Sequence, residues 1–158
     1  LNSNGLHIDV YSEAKKMADS FANSKHSNFL PYFMAALFAK ENKLNDAIVL
    51  NQFDRICDST HANIFIIKDK KIFTPALTEG CIAGVMRKFL IKELPDLGYE
   101  VIQTKIEVAD MLQADEIFLS NSIYNIRWVS QFQNKEFSGL ETTSIYETLQ
   151  NRFPEIIC

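Results

Sequence analysis

The 158-residue chain predicts an α+β domain whose mixed sheet curls around its core, with helices flanking it. Two observations carry this. Strand-like runs and helical patterns are interleaved without strict strand–helix alternation, which argues against a doubly wound parallel sheet. With 47% hydrophobic and 23% charged residues, the composition is ordinary for one globular domain that builds its own core.

Taken in order, alternation predicts a first strand over 6–11 (LHIDVY). A helix follows, in which Leu30, Phe33, Met34, Leu37 and Phe38 fall at the spacing of one buried face. Pro31 lies where a first-turn proline is tolerated, and the polar KENK of 40–43 ends the helix. Strands are expected at 46–51, 62–68 and 71–74, the last two joined into a hairpin by the KDKK turn of 68–71. A second helix should span 84–94, with Met86, Phe89, Leu90 and Leu94 inward and Pro95 and Gly98 closing it. Strands at 99–105, 115–121 and 126–132, a short helix near 107–113 and a terminal helix near 141–152 complete the expectation. Trp128 is expected in the core.

Charge and composition narrow the function. A formal net charge of -4 leaves no basic field to hold polyphosphate, so neither nucleic acid nor an anionic membrane is an expected partner. The longest apolar run, 32–39, is too short to span a bilayer. The expectation is a cytoplasmic protein. Cys57, Cys81 and Cys158 are widely spaced and form no CxxC, which argues for free thiols in a reducing compartment. His7, His26 and His61 show no ligand pairing, so no metal site is assigned. The opening LNSNG reads as a linker remnant over residues 1–5, ahead of a domain over 6–153.

Three separated stretches carry chemistry. KHSNFL at 25–30 places Lys25 among small polar residues before the first helix. DSTHANIF at 58–65 sets Asp58 just ahead of a buried strand. EGCIAGVMR at 79–87 runs a glycine-containing loop into a helix start, whose free N–H groups and positive dipole end suit an anion. An amine, a carboxylate and a phosphate cradle are what a pyridoxal 5'-phosphate enzyme needs. The lysine forms a Schiff base with the aldehyde, and the carboxylate keeps the ring nitrogen protonated. Other candidates have plainer readings. Arg87 is taken as structural, His26 and His61 as polar neighbours of the pocket, and Cys81 as a thiol with no base to activate it.

In combination these words resemble the class IV aminotransferases of fold type IV, which include branched-chain and D-amino acid aminotransferases and aminodeoxychorismate lyase. The resemblance runs from about residue 7 to about residue 132. Lys25 matches the family's KxxN word, with Asn28 and Leu30. Asp58 stands five residues before the Asn63 of an NIF-like word, where the family places the carboxylate that pairs with the ring nitrogen. Thr74, Pro75, Leu77, Gly80, Gly84 and Arg87 match TPxLxxGxxxGxxR, implying that the Val85 and Met86 amides hold the phosphate. DEIFLSNSIYNIRWV matches the family's DEVF strand and puts Ser122 where a hydroxyl adds a phosphate contact. Three positions depart from the pattern: Asp58 replaces the usual Glu, Phe29 a frequent Tyr, and His61 an often small residue.

The resemblance implies the C-terminal domain of a D-amino acid aminotransferase-like fold, a pseudo-barrel whose family also carries an N-terminal domain that nothing here matches. It implies a homodimer using pyridoxal 5'-phosphate to move an amino group from an amino acid to a 2-oxo acid. Its alternative is lysis of aminodeoxychorismate, which eliminates pyruvate and gives 4-aminobenzoate. The 158 residues alone are expected to be inactive or impaired, and a noncatalytic isolated domain is the third reading.

Overall fold

The structure, a computed structural model, describes residues 1–157. Cys158, grouped above with the free thiols, lies outside them. The elements run β1 (Leu6–Lys16), α1 (Leu30–Glu41), β2 (Asp46–Asn51), β3 (Ile56–Ser59), β4 (Asn63–Lys68), β5 (Lys71–Pro75), α2 (Val85–Glu93), β6 (Glu100–Thr104), α3 (Val108–Gln113), β7 (Glu116–Asn121), β8 (Asn125–Phe132), β9 (Lys135–Glu136) and α4 (Leu140–Arg152). Short 3-10 turns at Leu77–Glu79 and Leu94–Leu97 bracket α2.

The sheet runs β3-β2-β1-β8-β7-β4-β5-β6, with β9 paired to β8. The β1–β2, β1–β8 and β5–β6 pairs are parallel and the rest antiparallel, so the sheet is mixed, as expected. It curls far enough that its ends meet. The Ile56 N–H on edge strand β3 donates to the Ile106 carbonyl just beyond β6, at 2.8 Å. In the β4–β5 hairpin Asp69 and Lys70 both take left-handed backbone, φ 50° and 59°. Positive φ at both central residues is the two-residue turn whose twist suits the flanking strands.

Curling divides the core in three. Ile8, Ile48, Ile56, Ile64, Ile66, Ile117, Leu119 and Phe132 fill the interior of the curl. On the outer face, Phe65 and Phe118 stack at 4.9 Å beneath α2 and α4, together with Leu90, Ile145 and Leu149. Elsewhere α1 covers β1 and β2 through Tyr32, Ala35 and Ala39. Central strands such as β4 are therefore buried on both faces. That is why NIFIIK reads as a continuous apolar run with no polar alternation.

Four expectations need correction. The buried face of α1 is not the stripe of large residues: Leu30, Phe33 and Leu37 are exposed, and Met34 and Phe38 are only partly buried. Small residues let the helix lie close on the sheet, so Ala35 and Ala39 face inward. β1 continues past Tyr11 to Lys16 through an irregularity between Tyr11 and Lys15. Asp58, expected just ahead of a buried strand, sits within a short strand of its own, β3, antiparallel to β2. Trp128 is only half-buried. Its indole N–H and backbone N–H donate to Asn2, which ties the opening segment to β8.

Candidate functional site

Asp58 is 2% exposed, and donors surround its carboxylate. Pairing with Val49 of β2 fixes its backbone. Tyr32, from the first turn of α1, donates its hydroxyl to Oδ2 at 2.7 Å. The Asn63 amide, at the start of β4, donates to Oδ1 at 3.0 Å. The Ile82 N–H lies 3.1 Å from Oδ2 and 3.3 Å from Oδ1. A buried ammonium, that of Lys16, pairs with Oδ2 at 3.2 Å and lies over the Tyr32 ring. Burial pushes the Asp58 carboxyl up to about 6, while Lys16, Tyr32 and the Ile82 N–H act in the opposite direction.

From Asp58 the site continues to the start of α2 through two residues. Asn63 Nδ2 also donates to the Ile82 carbonyl at 2.7 Å, which fixes the chain just ahead of the helix. Gly84 then opens α2 in extended conformation, and no side chain caps the helix. A Cβ at Gly84 would lie 2.2 Å from Asn63 Oδ1, so only glycine allows this approach. Val85 is exposed and Met86 is buried in the first turn. First-turn N–H groups have no partner within a helix, which leaves an electropositive end beside the buried carboxylate.

Lys25 lies in the exposed segment between β1 and α1. That segment is not loose. Asn23 donates to the Leu77 and Cys81 carbonyls at 2.8 and 2.7 Å and accepts from the Ala83 N–H at 2.9 Å. The loop two residues from Lys25 is thus sewn to the loop that leads into α2. Gly80, with φ +84°, keeps this approach open, since a Cβ there would meet Ala18 at 2.9 Å. Ser122 is exposed in the turn between β7 and β8. Two residues earlier, Ser120 is buried opposite Asn63, and its hydroxyl finds no hydrogen-bond partner.

Several neighbours play other parts. Arg87 is buried and donates to the Pro75 carbonyl and to Gln103, bracing α2 against β5 and β6. Cys57 and Cys81 are buried, and burial pushes both thiols up, Cys81 to about 12, so neither offers a thiolate. Glu116, in the DEIF word, accepts the Glu141 and Thr142 N–H groups at 2.9 and 2.8 Å and so anchors the start of α4.

Sequence reasoning missed Lys16, Tyr32 and Ser120. The register irregularity after Tyr11 removes the alternation that would have placed Lys16, and Tyr32 lies between the large apolar residues that drew the helix face. For Ser120 the signal was available: a serine in a strand otherwise buried on both faces.

The site holds the kinds of group that a pyridine ring bearing a phosphate calls for. It offers a buried carboxylate for a ring nitrogen, an uncapped helix start with a glycine approach for an anion, an unpartnered buried hydroxyl, and a lysine on a braced loop.

Known proteins resemble this chain in sequence and fold. The chain is 32% identical over 126 residues to aminodeoxychorismate lyase of Vibrio harveyi, covering 80% of this chain and 46% of that one. It is 28% identical over 106 residues to a probable branched-chain-amino-acid aminotransferase of Synechocystis, covering 67% and 35%. The chain therefore spans about half the length, or less, of these curated relatives. Among solved structures, the branched-chain aminotransferase of Thermoproteus uzoniensis with norvaline superposes with a TM-score of 0.87 at 25% identity, over 93% of this chain and 50% of that one. An aminotransferase from Brucella abortus bound to the co-factor PLP gives 0.85 at 19% identity, over 97% and 55%, a likeness of fold. The family described as Amino-transferase class IV matches residues 5–132, and the chain belongs to it.

Proposed function

We propose that this chain is the cofactor-binding C-terminal part of a pyridoxal 5'-phosphate enzyme that transfers an amino group from an amino acid to a 2-oxo acid. The observation that carries the reading is the continuous path from the buried Asp58 carboxylate through Asn63 and Ile82 to the uncapped start of α2. When bound, the cofactor supplies an electron sink for charge developing at the substrate α-carbon. Asp58 faces the ring nitrogen as an anion. The Val85 and Met86 amides, with the Ser122 hydroxyl, hold the phosphate. Lys25 is the covalent anchor, and its amine then moves a proton at the substrate α-carbon as general base and acid. Asn23, by fixing the loop, holds Lys25 in reach.

The functional assembly on this reading is a cytoplasmic homodimer in which an N-terminal domain completes the substrate site. The exposed apolar residues Phe29, Leu30 and Phe33 near this loop suit such a covering surface.

A second reading, pyruvate elimination from aminodeoxychorismate, is favoured by the 32% identity to the Vibrio harveyi lyase. One experiment separates them. The complete polypeptide, loaded with pyridoxal phosphate, is assayed in parallel for 2-oxo acid-dependent amino transfer and for pyruvate release from aminodeoxychorismate. Transfer without pyruvate release supports the first reading and the reverse supports the second. Absence of both, with no absorbance change on cofactor titration, leaves a noncatalytic domain.

A further inference from the structure

Asp58 has more donors than a ring-nitrogen partner needs. Lys16, Tyr32, Asn63 and the Ile82 N–H already occupy its two oxygens, and it is 2% exposed. A ring nitrogen can donate to this carboxylate only where one of them yields. Ile82 gives a backbone group. Asn63 is pinned by its second bond, to the Ile82 carbonyl. Tyr32 is 8% exposed, and its bond to Asp58 is the shortest of the set at 2.7 Å. Lys16 is the exception: its ammonium ends a flexible four-carbon stem at the last residue of β1, and its bond, at 3.2 Å, is long for a charged pair.

We propose that Lys16 is a positioning residue of this site, whose ammonium holds the Asp58 carboxylate in the free protein and competes with the ring nitrogen of pyridoxal phosphate for it. The inference rests on the cofactor reading given above. Lys16 is not an alternative covalent anchor, because the aldehyde of pyridoxal lies para to the ring nitrogen. An amine seated on the ring nitrogen's carboxylate is at the wrong end of the ring. Lys25, on the loop sewn to the approach to α2, is not so constrained.

Competition and simple support predict opposite signs. If Lys16 only supported the fold, removing it would weaken cofactor binding. If it competes, removing its charge leaves Asp58 to the ring alone. The complete polypeptide, stripped of cofactor, is titrated with pyridoxal phosphate carrying an isotope label at the ring nitrogen, in wild type, Lys16→Met, Lys16→Gln and Lys16→Arg. Dissociation constants and the ring-nitrogen NMR shift are read, with folding checked by circular dichroism. Lys16→Met is expected to bind about tenfold more tightly, a change of one unit in log Kd, with its ring-nitrogen signal moved toward the protonated form. Lys16→Arg, which keeps the charge, should stay near wild type. Lys16→Gln gives the same reading as Lys16→Met if the latter does not fold. Equal or weaker binding by the folded neutral variants, or an unmoved signal, overturns the proposal while leaving the cofactor reading intact. No saturable binding by wild type overturns both.

Discussion

The Tyr32 hydroxyl donates to Asp58 Oδ2 at 2.7 Å, joining the first turn of α1 to edge strand β3 inside the protein. Burial nevertheless lifts the Asp58 carboxyl from its ordinary 3.8 to about 6. Between those values the folded chain holds a proton that the unfolded chain has released, so stability falls as pH rises from about 4 to about 6. The Asp58 contribution to this loss is on the order of 3 kcal/mol. Urea unfolding at stepped pH should show a component of this sign in wild type that is absent from Asp58→Asn. Parallel profiles for the two proteins would contradict it. Tyr32→Phe removes a donor to the ionised form and should cost about 1 kcal/mol at pH 7.

Gly84→Ala tests the approach of α2 to Asn63. The added Cβ would sit 2.2 Å from Asn63 Oδ1, and Asn63 cannot turn away without breaking its bonds to Asp58 and the Ile82 carbonyl. A loss of about 2 kcal/mol is expected by denaturant unfolding, together with weaker binding of pyridoxal phosphate. Unchanged stability would mean that the Asn63 bonds are not needed at this junction.

Glu116→Gln tests a distant anchor. The carboxylate accepts the Glu141 and Thr142 N–H groups and the Thr142 hydroxyl, doing from β7 what no local side chain does for α4, whose N-cap is Gly139. Loss of the charge should lower stability by about 1–2 kcal/mol. Amide exchange should accelerate in the first turn of α4 more than in β7, and uniform acceleration would contradict the local account.

The orientation of α1 gives a paired test. Phe33→Ser changes a residue 66% exposed and should shift the stability of this chain by under about 0.5 kcal/mol. Ala35→Leu overfills a fully buried contact with the sheet and should cost about 1–3 kcal/mol. The reverse ranking would restore the face expected from sequence.

That face marks where the sequence misleads. Spacing located α1, but size was a poor guide to burial, because Ala35 and Ala39 permit a closer approach to β1 and β2 than Phe33 or Leu37 would. Strands β4, β5, β7 and β8 were legible, since long apolar runs and the Asp69–Lys70 turn announce them. β3 was not, because four residues reading ICDS carry no periodicity. At the site, Asp58, Gly84 and the start of α2 could be found in sequence as local words. Lys16 could not, since its contact with Asp58 spans 42 residues and follows a break in strand register.

The most direct test of the account is the position of the covalent bond. The complete polypeptide is incubated with pyridoxal phosphate, reduced with borohydride, digested and mapped by mass spectrometry. The account predicts one dominant label, on Lys25, lost in Lys25→Ala. A label on Lys16, or none on a folded protein, would contradict it.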